Sequence, residues 1–463
     1  MRRGRKGRAS PSVKAKNGDA EGRERSRKPL REGEERIRAM SDLEVKEMAN
    51  QEKYKAKVKL VEDAISLKEP DRIPIKPSPA IFPVLDAGYT VAESIYDESL
   101  EVYRKAIFKY LNDFDPDCGI GVGNNYAGQG HIMEMTAPKN MRWAGMPGKL
   151  IDDNSIQQYI EFPFLEDDEF DEFFSDRTGW TIRKALPRSS QIMESFSGLE
   201  ISSFMGEIRG LAASFSRPEI KETIRKLWEL DEAYRTFDQK AAAFAKEVED
   251  AGYPIFVGGA AAVPFDAYSD GLRGTLNSLA DIYERPEEVE RYTEEFHEKQ
   301  LAKIRATKGI NDGKHVFMAL HKGMDGFMSD DTYEHFYWRH LKEIIETIIE
   351  VGKVPYIFTE GKYNTRLKFL AEVPKGKVFY HFETVDMAEA KRILGDVACI
   401  SGGLSAKIMN FGTKQEVIDE TKRIIDACAP GGGFIFETAC GLDYCSHENV
   451  EAMFNTVREY GKK

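Results

Sequence analysis

The sequence predicts an α/β chain folded as a (β/α)8 barrel, on three observations. Apolar runs of strand length alternate with helix-length segments, most regularly after residue 250. About eight such runs can be counted, and repeated strand–helix units favour parallel strands. With 463 residues, 41% of them hydrophobic, the chain can build one large core.

The elements follow in order. Residues 1–39 hold 14 Lys/Arg and 6 Asp/Glu with almost no large apolar side chains, which predicts a disordered basic tail. The remainder, 40–463, is the barrel and carries about −20 of the net −12, which argues against nucleic-acid binding by the fold. A helix is expected over 41–68, a short strand at 72–76 and a helical segment at 92–112. A second strand opens DCGIGVGNNYAG (117–128). From about 129 to 250 the alternation is lost, and the stretch reads as an inserted cap. Its acidic run FLEDDEFDEFF (164–174) reads as a solvated helix face.

Regularity then returns. Strands are predicted at 253–266, 315–323, 354–361, 377–384, 397–405 and 432–441. Helices are predicted at 285–306, 329–352, 386–394, 413–430 and 447–461. Pro286 stands in a first turn, Ser329 is the expected N-cap and Gly352 the stop of the second helix, and Thr413 with Glu416 has capping-box spacing. No apolar run reaches 18 residues, so no membrane span is expected. The N-terminus lacks the apolar stretch of a secretory signal. Five cysteines without a CxxC read as reduced thiols of a cytoplasmic protein.

Chemistry gathers at strand ends. Glu360 closes VPYIFTEG, His381 and Glu383 close KVFYHFET, and Cys440 closes GGFIFETACG. Parallel barrels do their chemistry where the C-terminal strand ends meet. Zinc accepts carboxylate, imidazole and thiolate, so Glu360, His381 and Cys440 form a candidate ligand set. Glu383, two residues after His381, shares its face and is a fourth ligand, a supporting partner or a proton acceptor. Taken singly, each has a plainer reading: a salt-bridge carboxylate, a hydrogen-bonded core histidine, an inert packed cysteine. His321 also ends a strand, as a candidate proton-transfer or substrate group. Asn124, Asn125 and Tyr126 are candidate substrate contacts in GVGNNYAGQGH, and SGG (401–403) reads as a tight turn. There is no GxxxxGK[ST], HExxH or GxSxG.

Three segments carry a resemblance: KVKLVEDAISLKEPDRIPI, MSDDTYEHFYWRHLKEIIETIIEVGKVPYIFTEG and GGFIFETACGLDYCSHENVEAMFNTVREYG. Over about 55–461 the chain resembles the uroporphyrinogen decarboxylase superfamily, which includes corrinoid-dependent methyltransferases. The resemblance implies a (β/α)8 barrel. The decarboxylase's arginine-rich substrate motif has no counterpart at 75–95, where only Lys76 is cationic. Thiol-methylating relatives place His-x-Cys where this chain has Phe358-Thr359-Glu360, and Cys440 matches their last cysteine. The Glu-x20-His spacing of Glu360 and His381 is similar to that of enzymes that demethylate aryl methyl ethers. A carboxylate in place of a thiolate makes a harder Lewis acid, suited to an oxygen substrate.

The resemblance therefore implies methyl transfer from a small methoxylated donor to cobalamin on a separate corrinoid protein, because no DxHxxG corrinoid signature occurs here. Three alternatives remain. They are methylcorrinoid-to-thiol or -pterin transfer, a metal-free decarboxylase-like enzyme, and a binding module tethered by the tail. A homodimer is left open.

Overall fold

The computed structural model describes residues 42–123, 126–200, 208–310 and 314–462. The predicted tail, Asn124 and Asn125 lie outside these. The chain divides into two compact units, Met1–Glu52 and Lys53–Lys463. Within the first, residues 42–52 are helical.

The second unit is the barrel. Five parallel strands form its continuous part: β1 (Val257–Ala260), β2 (His315–Leu320), β3 (Val354–Lys362), β4 (Phe379–Thr384) and β5 (Cys399–Gly402). Three further extended segments complete the ring through single bridges. Ile400 and Leu404 pair with Phe434 and Thr438, Phe436 pairs with Ile75, and Gly119 pairs with Ile255. The Asp117 N–H donates to the Ile75 carbonyl at 2.8 Å, joining the remaining neighbours. The predicted strand at 432–441 is thus present as a pairing edge rather than a regular strand, and its start is displaced by three successive glycines, Gly431, Gly432 and Gly433, with φ of 79°, 77° and 64°.

Helices lie between the strands as predicted. Pro286–Ala306, Met387–Leu394, Lys414–Cys428 and His447–Tyr460 match their expected spans within two residues. The helix predicted at 329–352 is interrupted. Its first turn, Asp330–Tyr333, is capped by the Ser329 hydroxyl, a π turn follows at Glu334–Trp338, and Arg339–Glu350 completes it before Gly352 at φ +86°. Its apolar spacing buries Leu341, Ile344, Ile345 and Ile348 against the barrel. Val61, Ala64 and Ile65 close the opposite end, packing with Phe256, Tyr356, Phe379 and Ile435.

Thr413 and Glu416 form the expected reciprocal cap. Thr413→Ala should lower stability by about 1 kcal/mol, read as a shifted denaturant midpoint at constant slope.

Residues 129–250 occupy the connection between the second and third strand segments. They hold a two-stranded antiparallel pair, several short helices and the 33-residue helix Pro218–Asp250. In the acidic run within them Glu166, Asp167, Asp168 and Asp171 are exposed as expected, and Glu169 departs from that reading. Glu169 is buried, bonded to Arg188 through both oxygens at 2.7 Å and paired with Lys184 at 3.0 Å. The Arg188 guanidinium holds its carboxyl far below the usual range. Phe170 and Phe173 on the same turn enter the core and draw Glu169 inward with them.

All five cysteines are free. No helix among the described residues is long and apolar enough to cross a membrane.

Candidate active site

The barrel interior holds a buried polar network. Lys76, on the first strand segment, donates to Glu437 Oε1 at 2.7 Å and to the Tyr356 hydroxyl at 2.8 Å. Ser401 donates to the other Glu437 oxygen at 2.9 Å, and Tyr356 reaches Glu437 at 3.1 Å. The ammonium sits 4.3 Å from the Tyr356 ring centroid and 4.6 Å from that of Phe256. Burial alone would lower the Lys76 pKa, but Glu437 outweighs it and holds the group charged, above its ordinary range. Glu437 is correspondingly held below its range against its own burial, by the charge and hydrogen bond of Lys76 and the hydrogen bond of Ser401. Gly402 makes room for this strand end. It has φ +107°, and a Cβ there would meet the Phe382 carbonyl oxygen at 2.0 Å.

His381 belongs to this network. Its Nε2 lies 2.7 Å from the Thr438 carbonyl, which only accepts, so Nε2 carries the proton. Its Nδ1 faces the Tyr356 hydroxyl at 3.3 Å and Glu437 at 3.6 Å. Burial lowers its pKa despite Glu437, leaving a neutral core imidazole.

Nearer the strand ends lies a second, more open cluster. The ladder between β3 and β4 shifts after Thr359, and Gly361 takes φ +82°. The shift leaves Glu360 about half exposed and 3.7 Å from His321 Nε2. His321 is bonded through Nδ1 to Asp270, which also pairs with Lys322 at 2.9 Å. Buried Asp266 anchors the turn, accepting the N–H groups of His321 (3.1 Å) and Lys322 (2.9 Å) and the Tyr337 hydroxyl (2.6 Å). Glu383 accepts the Gly361 N–H at 2.5 Å. The hydrogen bond to Asp270, opposed by burial and aided by Asp266 and Glu360, pushes the His321 pKa up to about 9. Burial raises Glu360, and Glu383 and Asp270 add to that against His321. Burial, then Asp443 and Glu383, pushes the Cys440 thiol up to about 11.

A zinc ion is implied by the resemblance, and the residues do not gather as its ligands. Among the described residues, only Asp86, Asp113 and His447 bring three ligand atoms within 4.8 Å of one another. The Lys109 ammonium already pairs with both of those carboxylates. In the expected trio His381 is the departing member: both its nitrogens are engaged inside the barrel, while Glu360 is paired with His321. Cys440 lies within electrostatic reach of Asp443 and Glu383 and is not among the groups that gather three ligand atoms.

Of the other expected residues, His321 and Glu383 do stand in the open cluster with Glu360. Tyr126 follows the Gly119 segment with φ +52°, and its hydroxyl meets that of Tyr159. Asp266, Asp270, Lys76, Tyr356 and Glu437 were not singled out from the sequence. Lys76 and Glu437 carried a usable signal, a charge inside an apolar strand run. Asp270 carried none, because it lies in the π turn Ser269–Arg273.

The raised His321 pKa has a defined pH signature. Below about 6.5 the imidazolium is charged in folded and unfolded chains alike, and its stabilisation is fully present. That stabilisation is lost as pH rises through about 9. A thermal melting series from pH 6 to 10 should show a decline over that window that is absent in His321→Asn.

A model of the uroporphyrinogen decarboxylase (URO-D) family matches residues 207–460, more than half of the chain. The uroporphyrinogen decarboxylase of Azoarcus sp. (strain BH72) is 27% identical over 143 residues, 30% of this chain and 39% of that one. That of Dechloromonas aromatica (strain RCB) is 23% identical over 198 residues, 42% of this chain and 54% of that one. The chain thus spans well under two thirds of the length of these relatives. Among solved structures, a methyltransferase from Methanosarcina mazei superposes with a TM-score of 0.52 at 13% identity, covering 86% of this chain and 97% of that one. The shared barrel and the matched C-terminal half together settle its kinship: the chain belongs to the uroporphyrinogen decarboxylase (URO-D) family.

Proposed function

We propose that this chain is a methyltransferase, moving a methyl group from a small methoxylated, aryl methyl ether donor to cobalamin on a separate corrinoid protein. The observation that carries this reading is the Asp270–His321–Glu360 chain at the barrel's strand ends. His321 is cationic at neutral pH and bonded on one side to Asp270. Its Nε2 is 3.7 Å from Glu360, beyond direct hydrogen-bond distance, so this N–H is not committed to that carboxylate.

When an ether methyl is transferred, the methyl–oxygen bond breaks and its electron pair stays on oxygen. A proton placed on that oxygen from His321 Nε2 neutralises the charge where it develops. Asp270 then holds the neutral imidazole in place. The reduced corrinoid of the partner supplies the electron pair that takes the methyl carbon. Glu360 and Glu383 orient the donor, and the proton that leaves with the phenol is replaced on His321 from solvent. No step is routed through zinc, because the expected trio is not assembled.

The charge around the cluster also weighs against the decarboxylase reading. Glu360, Glu383, Asp270 and Asp443 bring four carboxylates there, and buried Lys76 is spent on Glu437. A substrate with several carboxylates would meet net repulsion there, four carboxylates against the His321 imidazolium and the Lys322 ammonium.

The test is methyl transfer from a panel of methoxyarenes and methylamines to cob(I)alamin, with carbon dioxide release from uroporphyrinogen measured in parallel. Transfer from methoxyarenes supports the reading. Decarboxylation, or transfer from methylamines alone, overturns it. Activity should also fall as pH rises through about 9, where His321 loses its proton.

A further inference from the structure

We propose that His297 and His340 form a binding site for one divalent transition-metal ion, between two outer helices and away from the strand-end cluster. His297 lies on Pro286–Ala306 and His340 on Arg339–Glu350, and both are at least 96% buried. Their rings are 4.8 Å apart between centroids. His297 Nε2 meets a Glu343 oxygen at 2.9 Å, and His340 Nε2 meets a Glu294 oxygen at 3.4 Å.

A carboxylate accepts only, so each Nε2 carries the proton and each Nδ1 is left as a lone pair. Both Nδ1 atoms are buried without a hydrogen-bond partner. One turn beyond His297, the buried Gln300 amide nitrogen also has no partner. Turned over, that amide offers a carbonyl oxygen instead. Buried polar atoms in native proteins are nearly always satisfied, so three orphans on adjoining turns point to a missing occupant.

A cation fits that occupant. Imidazole suits zinc, nickel and copper, and metal-bound histidines characteristically donate their other N–H to a carboxylate. Both histidines here have that arrangement in place. In chain order the two helices precede β2, which is followed by His321, and β3, which carries Glu360. A bound ion would fasten together the supports of the reactive pair.

The experiment uses the full chain with Cys440→Ala and Glu360→Ala substituted, so that strand-end ligands do not contribute. Zn2+ is titrated calorimetrically at pH 7.5, and melting is followed with and without it. One equivalent is expected to bind and to raise the melting temperature. His297→Ala or His340→Ala should weaken binding at least tenfold and abolish that rise. If either variant fails to fold, histidine 15N spectra of the parent chain decide. Zn2+ should shift two Nδ1 resonances and leave their Nε2–H signals in place. No saturable binding, binding unaffected by both substitutions, or unshifted Nδ1 resonances would mean that water alone fills the gap and would overturn the proposal.

Discussion

His321→Asn is expected to slow methyl transfer about 100- to 10,000-fold, the range that a positioned proton donor supplies. The substitution removes a cationic group beside Glu360 whose Nε2–H is not committed to a carboxylate. The loss should fall on kcat as well as kcat/KM, because the proton is needed as the oxygen leaves. It should also depend on the donor. Phenols that are already good leaving groups need less protonation, so the variant's deficit should shrink for methoxyarenes bearing electron-withdrawing substituents. Asp270→Asn tests the same chain one link back, since without its carboxylate the His321 pKa should drop toward 6.5. The falling limb of the pH profile should then move to lower pH. An active His321→Asn enzyme with an unchanged pH profile would remove His321 from the mechanism.

The second large effect concerns stability. Lys76→Met leaves Glu437 ionised and fully buried without its counter-ion, and breaking such a pair costs about 3–5 kcal/mol. Glu437→Leu should cost a similar amount by stranding the ammonium. Combining the two replaces the pair with apolar volume, and most of the loss should be recovered. Urea unfolding of the single and double variants measures this directly. Additive losses in the double variant would show that the two groups act independently, contrary to their 2.7 Å contact. Because Ser401, Tyr356 and His381 share the same network, His381→Phe should destabilise the chain as well. Its effect belongs with this stability cycle rather than with metal content.

Much of the barrel was legible because its evidence is local. A strand such as VPYIFTE is apolar over a strand's length, and a helix such as Lys414–Cys428 announces itself by Thr413 and Glu416. Those patterns act through backbone geometry and near neighbours. The weak strand at 434–438 was harder to judge, since its pairing consists of single bridges to partners more than 30 residues away.

The site divides the same way. The sequence alone determined that Glu360, His321, Glu383, His381 and Cys440 stand at or near strand ends, because strand length and parallel order do that. It could not say which of them face one another. His381 and Glu360 lie on paired strands, yet the register shift after Thr359 turns Glu360 toward His321, while His381 remains over Tyr356 and Glu437. Only the tertiary structure decided that His381 is a core histidine and His321 a cation. A side chain's charge and partners depend on burial and on groups distant in sequence. Asp270 lies 51 residues from His321, and Glu437 lies 361 from Lys76.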